Sequence, residues 1–177
     1  MGLERHQRLC ARLLLALGLM ASAGVAAGAK DSPARRPVPH ADTLADTERV
    51  VREIFGPRFK AAKTSAQKLG LAREMLNVAA RSRDEPAAQY YLLYVARNVA
   101  VEAGEIGAAL DAAERMSAAF DVDALELKAS VVNGVSKTAR STAARSALAA
   151  AALALVDEAL AADDLKTAGQ LAQAAVT

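Results

Sequence analysis

The residues of this chain that could do chemistry are few, and three pairs of carboxylates come first: Asp84/Glu85, Asp121/Asp123 and Asp163/Asp164. Adjacent carboxylates can move protons or share a cation. Each pair, however, falls where a helix is predicted to start. An acidic side chain there accepts from unpaired backbone N–H groups and complements the helix dipole, so capping is the expected role. A calcium loop needs several oxygen ligands at fixed spacing around a glycine turn, and that pattern is missing from the sequence. Cys10 is the single cysteine, and beyond residue 29 His40 is the single histidine. A disulfide framework, a cysteine-bound metal and a cysteine nucleophile are thereby excluded, and no Ser–His pair falls on the folded part. The expectation is a chain without catalytic, cofactor or metal residues.

Binding chemistry has two candidates. All three tyrosines, Tyr90, Tyr91 and Tyr94, lie within five positions. At about 100° per residue, Tyr91 and Tyr94 fall roughly opposite the face defined by Leu92, Ala96, Val99 and Ala103. They form either a second packing surface, against the helix carrying Leu69 and Ala79, or an exposed aromatic patch for a peptide or glycan. Residues 127–156 hold Lys128, Lys137, Arg140 and Arg145 and no acid. They read as a solvated helix face or as a contact for an anionic polysaccharide. Tyr91, Tyr94, Arg140 and Arg145 are the candidate partner-binding residues. Basic side chains without interleaved aromatics give no support for nucleic acid.

The elements that must position these residues are helical. Alanine accounts for 45 of 177 residues, against no Trp, three Phe and three Tyr. Alanine has the best helix propensity and lets helix axes approach closely, so the class is all-α with thin interfaces. Residues 30–43, with three of the five prolines, read as a disordered linker. Thr43 or Asp46 is the expected cap of a first helix ending at Phe55, before Gly56-Pro57; residues 59–63 stay unassigned. Thr64 and Gln67 form a capping box for a helix to about Arg81, with Leu69, Ala72, Leu76 and Ala79 on one face. Pro86 opens the next helix, which runs to a tight turn at Ala103-Gly104-Glu105. Ile106, Ala109, Leu110, Ala113, Met116 and Phe120 mark the following one. Leu125, Ala129 and Val132 follow, up to Asn133-Gly134, read as a kink or an end. Leu148, Ala152, Leu155 and Ala159 define an inward stripe, and Leu165, Ala168, Ala172 and Ala175 another.

Gly104-Glu105-Ile106-x-x-Ala109 aligns with Asp163-Asp164-Leu165-x-x-Ala168. A recurring helical pair predicts antiparallel hairpins over residues 44–177, stacked as a short tetratricopeptide-like α-solenoid or a bundle. The amphipathic pattern still runs at Thr177, which predicts a chain truncated at its C-terminus.

Arg5, Arg8 and Arg12, the apolar run at residues 13–20 and Ala27-Gly28-Ala29 make residues 1–29 a secretory signal peptide, cleaved near Ala29. The apolar run is about half the ~20 residues a spanning helix needs. Removing it leaves 19 basic and 19 acidic residues, so bulk charge gives nucleic acid no support as a partner. The expected location is periplasmic or extracellular, with no membrane association after cleavage.

LAREML, DEPAAQYYLLYVARNVAVEAGEIGAALDAAERM and FDVDALELK, within residues 69–128, resemble the helical N-terminal segment of exported planctomycete-type multidomain proteins. The resemblance implies an export signal before the segment and lectin-like, carbohydrate-binding or sulfatase-related modules after it, and assigns no functional residue. The sequence therefore predicts an exported, non-catalytic helical-repeat scaffold that holds a protein partner or a downstream domain. The alternative is the N-terminal part of a larger glycan- or cell-wall-associated binding or hydrolytic protein whose active module lies beyond residue 177.

Overall fold

Alanine-rich segments separated by polar, cap-forming breaks fold here as a series of helices. In a computed structural model, residues 34–176 are described. The signal peptide expected over residues 1–29, and its cleavage near Ala29, lie outside them. Arg35–Thr177 forms one compact unit. Its helices are α1 (Ala41–Ala61), α2 (Ser65–Arg81), α3 (Pro86–Ala103), α4 (Ile106–Ala119), α5 (Ala124–Ser136), α6 (Thr142–Ala161) and α7 (Leu165–Ala175).

Local chemistry accounts for most boundaries. The Thr64–Gln67 capping box opens α2 as expected. Asp123, Ser141 and Asp164 cap α5, α6 and α7 through the N–H groups of Glu126, Ala144 and Thr167. Glu85, in contrast, makes no side-chain cap at α3, where Pro86 takes the first turn.

The first helix departs from expectation. It begins at Ala41 with His40 at the cap position, places Thr43 inside the first turn and continues through Gly56-Pro57 to Ala61. Proline inside a helix loses one hydrogen bond and crowds the preceding turn. Phe55 is buried and Phe59, one turn on, packs partly against the same core. Keeping both rings on one face outweighs the local breaker.

Two turns close by the same backbone pattern. Gly104 takes φ +76°, its N–H meets the Val101 carbonyl, and the Glu105 N–H reaches the Ala100 carbonyl at 3.0 Å. Asp163 takes φ +59°, its N–H meets the Leu160 carbonyl, and the Asp164 N–H reaches the Ala159 carbonyl at 2.9 Å. This is the Schellman closure, which returns the chain on itself after a left-handed residue. The aligned sequence positions thus share one local geometry.

Among the described residues each helix packs on the next and the next but one, and on none further away. α1 rests mainly on α3 and only lightly on α2. The core runs along the series, with Met75, Leu93, Met116, Phe120, Val131, Val132, Val135 and Leu171 fully buried and alanines filling the crossings. Gly134 does not end α5, which runs two residues further, to Ser136. A Cβ there would sit 2.7 Å from a Val101 methyl carbon, so the missing side chain sets how closely α5 crosses α3. The inward face of α7 also differs: Ala168, Leu171 and Ala174 are buried, whereas Leu165 and Ala172 are exposed.

Candidate interaction surface

The tyrosine cluster sits on the first half of α3. Proline at its start and an unbroken run of good helix formers hold Tyr91, Tyr94 and Arg97 on one strip, three residues apart. The Tyr91 and Tyr94 ring centroids are 6.2 Å apart and tilted by 33°. The Arg97 guanidinium lies over the Tyr94 ring at 5.0 Å and donates to the Asn98 side-chain oxygen at 3.0 Å. Tyr94 is 40% exposed, whereas Tyr91 is half-buried against the core. Tyr94 therefore lies at the surface, whereas Tyr91 is partly covered.

The cover over Tyr91 involves α1 as well as the core. Burial pushes its hydroxyl above the usual tyrosine range, the Glu48 carboxylate adds to this, and Arg52 opposes it. Burial also lowers Arg97, with Tyr94 and Tyr90 acting against it. Arg97 was not among the predicted residues. Its signal was the i+3 spacing from Tyr94, where a cation can reach a ring one turn back.

Tyr90 belongs to a different constellation. Its ring meets Phe120 edge-on at 5.1 Å. Arg36 lies over the other part of this cluster, 4.8 Å from the Phe120 centroid, and donates to the Arg83 carbonyl at 2.8 Å and to the buried Gln89 side-chain oxygen. Its backbone is fastened too: the Arg36 N–H donates to the Ala119 carbonyl and the Asp121 N–H donates to the Arg36 carbonyl. Part of the stretch read as a disordered linker, residues 30–43, is therefore a clasp across the junction of α4 and α5, and Ala41, Asp42 and Thr43 are helical.

The basic residues are not part of the aromatic strip. Arg140 and Arg145 are exposed around the start of α6, where the Arg145 guanidinium donates to the Arg140 carbonyl at 3.3 Å. The loop before them packs on Gly104, at the far end of α3. Ten residues of helix separate that level from Tyr94, about 15 Å along the axis. Lys128 is engaged by Glu158 at 2.9 Å, an acid just beyond the stretch that lacked any. Hydrogen bonds from Thr167 hold Asp164 below the usual carboxylate range, in keeping with its capping role. An open cleft of about 260 Å³ lies between the end of α1 and the start of α2, lined by Arg58, Ala61, Ala62, Gln67, Leu71 and Glu74.

Compared with known proteins, the chain matches no family model, no curated protein and no solved structure.

Proposed function

We propose that this chain is an exported, non-catalytic helical-repeat module that holds a partner protein or a neighbouring domain, with Tyr94 and Arg97 at the centre of the contact. The carrying observation is the half-exposed strip of Tyr91, Tyr94 and Arg97 on a helix whose other sides are buried. A tyrosine pre-stacked under an arginine offers contact area with little side-chain entropy left to lose. Packing restricted to near neighbours supports a tetratricopeptide-like stack, and the paired Schellman turns support its hairpins. The capping roles of Asp123 and Asp164 support the non-catalytic reading.

The test is a photo-crosslinker at Tyr94, applied to the exported fraction of the source cells. One discrete adduct, lost when Arg97→Ala is added, is expected. A turnover activity of the purified chain that disappears on replacing a single carboxylate overturns the proposal.

A further inference from the structure

Helix α6 is apolar almost all round: residues 147–156 contain no polar side chain. Such a helix is normally enclosed. Only one side of it is. Leu148, Ala152, Leu155 and Ala159 are buried, while a second stripe, Ala149, Leu153, Val156 and Leu160, repeats the same 4, 3, 4 spacing about 100° away. On that stripe Leu153 is 58% and Leu160 51% exposed, and Leu165, beyond the turn, is 69% exposed; Ala149 and Val156 on the same stripe are half-buried, Val156 against the core. The spacing is that of a two-helix seam, with one apolar residue per layer.

Charge along α6 is split. Arg140 and Arg145 stand at its beginning and Asp157 and Asp163 at and just beyond its end, while Glu158 is occupied by Lys128 and Asp164 by the cap of α7. A seam formed by two such helices running in opposite directions places Leu153 beside the partner's Val156 and Ala149 beside the partner's Leu160. One turn further out α6 has ended at Ala161, and Arg145 comes beside the turn that carries the partner's Asp163, an exposed residue. The helix dipoles then also oppose. A parallel pair would put arginine on arginine and aspartate on aspartate.

We infer that the outer stripe of α6 is a self-association face, on which a second copy of this chain packs antiparallel about a two-fold axis. A seam of one helix lies below the about 800 Å² per partner of a standard interface. The dimer is therefore weak, half-formed at roughly 10–100 µM.

Sedimentation velocity of the full chain across that range tests it. Concentration-dependent dimerisation is expected, and Leu153→Glu and Leu160→Glu should each weaken it by at least about tenfold with helicity by circular dichroism unchanged. Both leucines are more than half exposed, so either variant can serve if the other fails to fold. In a Cys10→Ser background, oxidising a mixture of Arg145→Cys and Asp163→Cys chains should give a disulfide between the unlike chains. A monomer throughout the range overturns the inference. So does a dimer that both glutamate variants leave intact, or a cross-link confined to like chains. Unfolding by both glutamate variants also overturns it, because the stripe would then be covered within its own chain.

Discussion

Arg36 shows how much one side chain can fix. Its guanidinium satisfies the amide oxygen of buried Gln89, takes the Arg83 carbonyl and lies on Phe120. A buried acceptor left without its donor costs about 1–3 kcal/mol. Arg36→Ala is therefore expected to lower the unfolding free energy by that amount in urea titrations, and Gln89→Leu in the same background should recover part of it. Tyr91 carries a pH prediction. Its hydroxyl is raised in the folded state, so the folded chain holds that proton longer than the unfolded chain does. The stability this contributes is complete below about pH 10 and is lost as pH rises through the folded value. Urea midpoints should fall over the alkaline range, and Tyr91→Phe should flatten part of that slope.

The turns carry the prediction at the level of elements. Gly104 and Asp163 occupy the same left-handed position, but only one of them is glycine. A side chain there costs about 1–2 kcal/mol, and a Cβ on Gly104 would also meet the Thr138 carbonyl oxygen at 3.2 Å. Gly104→Ala should destabilise by at least that much in thermal melts, whereas Asp163→Gly should stabilise by a few tenths to about 1 kcal/mol. Helix identity was legible where leucine marked a face. The inward stripe Leu148, Ala152, Leu155 and Ala159 of α6 is buried as read. In α7 alanine lies on every side, so Leu165 and Ala172 looked as inward as Ala168, and only packing selected Leu171. The passage of α1 through Pro57 was hidden because the deciding contacts, Phe55 and Phe59 on the core, are tertiary. The aromatic strip was half legible: its direction follows from helical spacing, its cover by α1 does not. Arg36 gave no local signal, since its Gln89 partner lies 53 positions away.

At the scale of the molecule, packing confined to near neighbours means that an end helix can detach without opening the middle. Hydrogen exchange should grade accordingly, with α1 and α7 exchanging first and the amides of α3 and α4 last; uniform exchange at the global rate would contradict this. The clasp at Arg36 has a mechanical consequence. Tension applied to the chain just before Arg36 does not travel through α1, α2 and α3 in sequence. It enters through two backbone hydrogen bonds at Ala119 and Asp121, directly into the junction of α4 and α5. While those bonds hold, α1 hangs outside the load path, and a pull from the N-terminal side is borne by the centre of the series, with the Arg36 side chain sharing it into the start of α3 through Arg83 and Gln89.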